Sequence, residues 1–231
     1  MASATVIGST GLVGSRILAA LLTLPSVGSV YTIARRQPTA SDPKLQALID
    51  SDTSQWASKF STIQPPPSIF LSGLGTTRAR AGGLDKQWAI DHDLNLEMAK
   101  AAKAAGVKVY VLISSTNPSA SSSFPYLRMK GSLEDQVKAL EFDQTVILRP
   151  GLIVGSREES RPAEAFMRLT ANILGSVHSA LKDPWAQDAD VIGRAAVNAG
   201  LRAFEGKAPD KVWILNQSDI IKLGRTEWKM E

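Results

Sequence analysis

The chain has 231 residues, a formal net charge of +4, 44% hydrophobic residues and 21% charged ones. That is a globular composition long enough for one domain over 1–231. It has no clustered basic stripe for nucleic acid and no apolar run near the roughly 20 residues of a transmembrane helix. It has no cysteine for a disulfide or thiolate chemistry, and only two histidines, too few for a histidine-rich metal site.

The first strand is expected at Ala4–Ile7 and the first helix at Val13–Leu22, closed by Pro25 and Gly28. No Arg-rich or hydrophobic leader precedes them, so a soluble, unprocessed chain is expected, with peripheral attachment to a membrane left open. Val30–Ala34 is a second strand and Leu45–Ile49 a weak third. Pro65-Pro66-Pro67 stiffens the connection into a fourth, Ser68–Leu71. A helix over Asp93–Ala105 ends at Gly106 and leads to a fifth strand, Val109–Ile113, apolar on both faces. A polar loop, Ser119–Ser123, precedes a helix over Tyr126–Leu140 and a sixth strand, Thr145–Arg149. Ala163–Leu174 and Val191–Ala203 are expected as helices, and Val212–Leu215 as a short strand. This alternation predicts an α/β fold: a Rossmann doubly wound parallel sheet with helices on both faces. The core covers about 1–155, and 156–231 forms a small substrate-side extension with closing elements.

The strongest motif is Gly8-Ser9-Thr10-Gly11-Leu12-Val13-Gly14, which follows a strand and opens a helix. Gly8 permits the tight turn, Gly11 the approach of a pyrophosphate, and Gly14 the close contact of helix with sheet. The helix N-terminus offers free N–H groups and partial positive charge to the phosphates. An acidic residue about 20 positions past the glycines would hold the ribose hydroxyls of NAD. Arg35 and Arg36 stand there instead, a fork suited to the 2′-phosphate of NADP. The expected cofactor is therefore NADPH/NADP.

A second loop, Gly73-Leu74-Gly75-Thr76-Thr77-Arg78, falls where such sheets bind ligands, and Leu74, Gly75, Thr76 and Thr77 are candidates to border the cofactor. Asp50, at the end of the third strand, either meets the adenine edge, caps a helix or is simply solvated. Tyr126 and Lys130 lie four apart on one helix and so on one face. A free phenol has a pKa near 10, too high for acid–base work at neutral pH, and a neighbouring ammonium would favour the phenolate. Lys130 would also hold the nicotinamide ribose. Ser114-Ser115-Thr116 ends the fifth strand, and Ser115 or Thr116 would supply a hydroxyl to the substrate oxygen. In Arg149-Pro150-Gly151, the backbone of Pro150 and Gly151 would border the nicotinamide, while Arg149 either does likewise or pairs with a carboxylate. The polar stretch Ser156–Pro162 is either part of a substrate pocket or a solvated loop, and His178 is expected to be structural.

Together, Gly8–Gly14, Leu74-Gly75-Thr76-Thr77-Arg78, Ser114-Ser115, Tyr126 with Lys130, Arg149-Pro150-Gly151, Ser160-Arg161-Pro162 and Ser218–Gly224 resemble one family over nearly the whole chain. It is the branch of the atypical short-chain dehydrogenases that includes the mammalian Tat-interacting protein, and within it the fungal "found in mitochondrial proteome" proteins. The resemblance implies an NADPH-binding Rossmann domain and carries Ser/Tyr/Lys roles onto Ser115, Tyr126 and Lys130. It also implies peripheral association with the cytosolic face of the mitochondrial outer membrane, and pairing into a homodimer through the helices near Asp93–Ala105 and Tyr126–Leu140. One departure stands out: Ile90-Asp91-His92 occupies the place where many extended short-chain dehydrogenases have an Asn. The expected function is an NADPH-dependent oxidoreductase that reduces a small carbonyl compound. The alternatives are an NADPH-binding regulatory or scaffold protein without turnover, and an isomerase or dehydratase that retains its nicotinamide.

Overall fold

A computed structural model of the chain describes residues 1–154 and 186–229. The expected helix Ala163–Leu174, the polar stretch Ser156–Pro162 and His178 lie outside the described residues.

The chain starts in β1 (Ala2–Ile7), turns at Gly8 and enters α1 (Leu12–Thr23). It continues through β2 (Val27–Ala34), β3 (Leu45–Ile49), α2 (Trp56–Ser61) and β4 (Ile69–Ser72). Two short helices follow, α3 (Arg78–Ala81) and α4 (Leu84–Trp88). A π-helical turn, Ala89–Leu94, then runs directly into α5 (Asn95–Ala104). Next come β5 (Val109–Ile113), α6 (Pro125–Lys138), β6 (Gln144–Leu148) and β7 (Leu152–Val154). After the undescribed stretch stand β8 (Ala186–Asp188), α7 (Ala189–Phe204), β9 (Val212–Leu215) and α8 (Gln217–Ile221), which ends in a second π-helical turn, Lys222–Thr226.

Seven strands form one sheet in the order β3-β2-β1-β4-β5-β6-β9, and every pair is parallel. The expected doubly wound sheet is therefore present, with a seventh strand at its edge: Val212–Leu215 pairs with β6. Gly28, expected to close the first helix, lies instead inside β2, which starts at Val27. Pairing with β1 decides this: Ser29 to Ile33 continue the ladder opposite Ser3 to Ile7. The helix expected from Asp93 starts its α-helical part at Asn95, because the π-turn absorbs the residues before it.

The strands alternate between two cores, as parallel strands buried on both faces must. On one side Ala4, Val6, Val111 and Val146 meet α1 and α7. Small residues let those two helices close on each other: a methyl at Gly193 would lie 2.8 Å from Arg16 Cβ. On the other side Tyr110 stacks between Phe70 and Phe142, at ring separations of 5.4 and 5.0 Å. Phe60 meets Phe70 edge-on at 5.3 Å. Each such aromatic contributes about 1.5–3 kcal/mol through burial. Because the chain runs outward from β1 to β3 and returns to β4 beside β1, the carboxyl ends of β1 and β4 flank the crevice where such sheets take ligands.

Candidate active site

The glycine side of the crevice is built from backbone in contact with backbone. Gly8 has φ of +75°, a left-handed conformation that favours glycine. The Gly11 N–H donates to the Gly8 carbonyl at 2.8 Å, closing the turn. A methyl on Gly14 would stand 2.1 Å from that same carbonyl oxygen. A methyl on Gly73 would stand 2.9 Å from Gly14 Cα. The loops after β1 and β4 and the start of α1 thus interlock, and side chains are excluded from the junction.

Gly11 is the N-cap of α1; no side chain caps the helix and no acidic residue lies in its first turn. Its leading N–H groups and dipole therefore remain available to an anion. Leu12 and Val13 contribute backbone there, since the Val13 side chain is in the core. Ser9 is buried and bonded to the Thr32 hydroxyl, so its side chain faces the sheet, whereas Thr10 is half-exposed. Arg35 and Arg36 follow β2 directly and are exposed; neither has an ion-pair partner among the described residues. Asp50 is engaged locally: it accepts from the Asp52 N–H at 2.9 Å and pairs with Lys59 at 3.2 Å.

On the other side, β5 delivers Ser114 and Ser115 to its carboxyl end. Both hydroxyls are buried and lack a hydrogen-bond partner. Thr116 is exposed. Of the two hydroxyls left open by the sequence, the one beside the Tyr126 phenol is that of Ser115, and it completes no hydrogen bond. The loop after β5 is laid onto α6 at Gly131, where a methyl would meet the Ala120 nitrogen at 2.3 Å. Pro125 opens α6 in the favoured first-turn position, placing Tyr126 at the helix start and Lys130 one turn in. Tyr126 is 42% exposed, whereas Lys130 is buried at 4%.

The expectation that Lys130 draws the phenol toward its ionised form is corrected here. The Tyr126 pKa is raised, first by burial and then by the Asp91 carboxylate. Asp91 is the residue that sequence reasoning treated only as a missing Asn. It is 1% exposed, accepts the Thr76 N–H at 2.6 Å, and has the Gln87 amide at 3.5 Å. Burial raises its pKa, against the pull of Lys130. The Lys130 ammonium is pushed down by burial and held up by Asp91 and then Glu134. Asn95, also missed, bonds Ser72 and donates to the carbonyls of Leu74 and Asp91, pinning the loop after β4. Thr77 caps α3 through Arg80 N–H at 3.3 Å, and Gly75 lies against Asp91.

Arg149 takes the structural alternative: it donates to buried Glu134 through Nε at 3.1 Å and Nη2 at 2.6 Å. The Pro150 carbonyl accepts from the Thr116 N–H, and the Gly151 N–H donates to buried Gln187 at 3.3 Å. That turn is fastened to β8 and, through Gln187 and the Gln217 carbonyl, to α8.

The comparisons with known proteins agree with this architecture. A model of the HIM1 family matches residues 43–180. Protein fmp52-1, mitochondrial, of Aspergillus terreus is 59% identical over 231 residues, covering 97% of this chain and 100% of the relative. Protein FMP52, mitochondrial, of Chaetomium globosum is 48% identical over 99% of this chain and 100% of the relative. Among solved structures, the Bordetella bronchiseptica enzyme WbmF in complex with NAD+ matches with a TM-score of 0.67 at 14% identity, over 96% of this chain and 76% of that one. UDP-glucose 4-epimerase of Thermotoga maritima, with UDP-glucose, matches with a TM-score of 0.66 at 15% identity, over 99% and 84%. Identities that low speak for the fold alone. The fungal relatives match nearly end to end, so this Rossmann-fold chain belongs to their Fmp52 family, and through residues 43–180 to the HIM1 family.

Proposed function

We propose that this protein is an NADPH-dependent oxidoreductase that reduces a small carbonyl compound. The observation that carries the reading is the buried, unpartnered Ser115 hydroxyl beside Tyr126, which shares its helix with a buried Lys130, at a sheet end that also carries an uncapped helix start. A buried hydroxyl without a partner is costly unless a ligand atom completes it.

The residues at hand suit the cofactor. The turn Gly8–Gly11 and the first N–H groups of α1 would receive the pyrophosphate, with Thr10, Leu12, Val13 and Gly14 as its backbone wall. Exposed Arg35 and Arg36 would receive the 2′-phosphate and select NADPH over NADH. Leu74 to Thr77 and the Pro150–Gly151 turn would border the remainder. When bound, the reduced nicotinamide supplies a hydride. Ser115 would hold the substrate oxygen by donating a hydrogen bond. Tyr126 would pass its proton to that oxygen as negative charge develops there. Lys130 would hold positive charge beneath the phenol and bond the ribose. A phenol with a raised pKa is protonated at neutral pH, the form that a donor needs.

The names of the fungal relatives support a mitochondrial setting. Among the described residues no helix is long and apolar enough to cross a membrane. Peripheral attachment at the cytosolic face of the outer membrane, a homodimer, and kinship with the Tat-interacting protein belong to this proposal. The test is NADPH oxidation against a panel of small aldehydes and ketones. Tyr126→Phe is expected to lower turnover by about 100-fold or more, with NADPH affinity kept within about twofold. Turnover unchanged in Tyr126→Phe removes the tyrosine from the reaction. NADPH binding without turnover on any carbonyl favours the regulatory reading.

A further inference from the structure

Residues 73–77, the loop after β4, have left the sheet, so their peptide groups must find partners outside the strand ladder. Side chains supply them on both sides of Gly75. On one side stands Asn95, which is fully buried. The carbonyl oxygens of Leu74, Ile90 and Asp91 lie 3.3, 3.4 and 3.1 Å from one end of its amide, so that end is the donating NH2 group. The other end accepts from the Ser72 hydroxyl, whose oxygen has the Leu74 N–H at 3.5 Å. On the other side the Thr76 N–H donates to Asp91 at 2.6 Å, and the Thr76 carbonyl accepts from the buried Gln87 amide at 3.2 Å. A π-helical turn, Ala89–Leu94, brings these groups together: it carries Ile90 and Asp91 and runs directly into Asn95. Such turns are rare, and frequent at functional sites.

Between these two grips Gly75 is exposed, and its own N–H and carbonyl make no hydrogen bond among the described residues. The folded chain does not itself call for a glycine there. The Gly75 backbone is not left-handed, and a methyl on it would meet nothing nearer than the Asp91 carboxylate oxygens at 3.9 Å. Gly8, Gly14 and Gly73 have no such room. A glycine that its own chain does not require suits the close approach of another molecule. Because β4 lies between β1 and β5, a dinucleotide reaching from the start of α1 to Ser115 crosses this loop. We propose that Asn95 is a positioning residue for the dinucleotide: with Gln87 on the opposite side, it holds the loop after β4 as a rigid shelf on which the Gly75 peptide is left free for the ligand. This rests on the reading of the crevice as an NADPH site. Asn95 is at 0% exposure and acts only through the loop. The shelf meets a part that NADPH and NADH share, so both affinities depend on it alike, while the choice between them stays with Arg35 and Arg36.

The experiment is calorimetric titration of Asn95→Ala with NADPH and with NADH, beside amide hydrogen exchange over residues 72–77 in the nucleotide-free protein. Exchange there is expected to speed up by about tenfold or more. Both affinities are expected to fall by about tenfold or more, with their ratio unchanged. Asn198→Ala is the control. That amide also donates to two carbonyls, of Leu223 at 2.9 Å and Glu227 at 3.1 Å, but at the amino end of the sheet, beside Leu24 and Ser26. It is expected to lower stability while both affinities stay within about twofold. A folded Asn95→Ala variant with parental affinities, or with a loss no larger than that of Asn198→Ala, overturns the proposal. Should Asn95→Ala not fold, Gln87→Met decides, since it removes the bond to the Thr76 carbonyl. Both affinities are then expected to fall by about threefold or more, and unchanged affinities overturn the proposal. An unaltered chain that binds neither nucleotide is a different failure: it overturns the NADPH reading, and the proposal with it.

Discussion

The two walls of the crevice are held by different physics. The glycine wall is steric: Gly8, Gly14 and Gly73 meet backbone to backbone, with no room for a Cβ. The wall of α6 is electrostatic: Asp91, Lys130 and Glu134 are each nine-tenths or more buried, and Arg149 reaches in to neutralise the last. A steric junction is rigid and indifferent to pH and salt, which suits a seat for an invariant pyrophosphate. A junction of buried charges responds to proton and ligand, which suits the place where a proton is passed.

This contrast can be broken or sharpened by substitution. The largest expected effect is on the steric wall. Gly14→Val places its Cβ 2.1 Å from the Gly8 carbonyl oxygen, where only backbone can yield. It should cost on the order of 3 kcal/mol or more in urea denaturation and abolish nucleotide binding. A variant of parental stability would show that the loops do not interlock.

Next comes the ion pair under α6. Arg149→Met leaves the Glu134 carboxylate at 1% exposure with only Lys138 at 3.7 Å. It should cost about 2–4 kcal/mol, and adding Glu134→Gln should restore much of that, because the unpaired charge goes with it. A double variant no better than the single would assign the loss to the shape of the side chains instead.

Smaller is the expected effect of pH on turnover. Tyr126 must be protonated to act as acid, and its pKa is raised above the ordinary 10.0. Reduction should therefore vary by less than about twofold from about pH 7 to about pH 9, and fall only as pH rises through the raised phenol value. Loss of activity in a step near about pH 8 would mean that the phenol is depressed, as a lone Tyr/Lys pair suggests.

The steric wall was almost wholly legible in the sequence, because its parts are local. Gly8, Gly11 and Gly14 lie within seven residues and Gly73 opens a second marked loop. Strand β3 and strand β5 were placed at their observed bounds, since each is a short apolar run between clear breaks. The electrostatic wall was legible only in part. Tyr126 and Lys130 are one helical turn apart, but the carboxylate that adds to the effect of burial on the phenol, Asp91, comes from a different element. Nothing in the apolar periodicity of Ala89–Ala104 marks the π-turn that aims Asp91 inward. Arg149 offered two roles from sequence, and only the position of Glu134 on α6 chose between them. Gly28 reads as a helix stop by residue type, and the parallel pairing of β1 with β2 overrides that preference.

The measurement closest to the core of this account is a calorimetric titration with NADPH and, separately, NADH, repeated on Arg35→Ala/Arg36→Ala. NADPH is expected to bind at least about tenfold more tightly than NADH, roughly 1.4 kcal/mol, and the double variant to erase that difference while leaving NADH unchanged. Equal affinities in the unaltered protein would contradict the assignment of Arg35 and Arg36 to the 2′-phosphate. Failure of both nucleotides to bind would contradict the dinucleotide site itself.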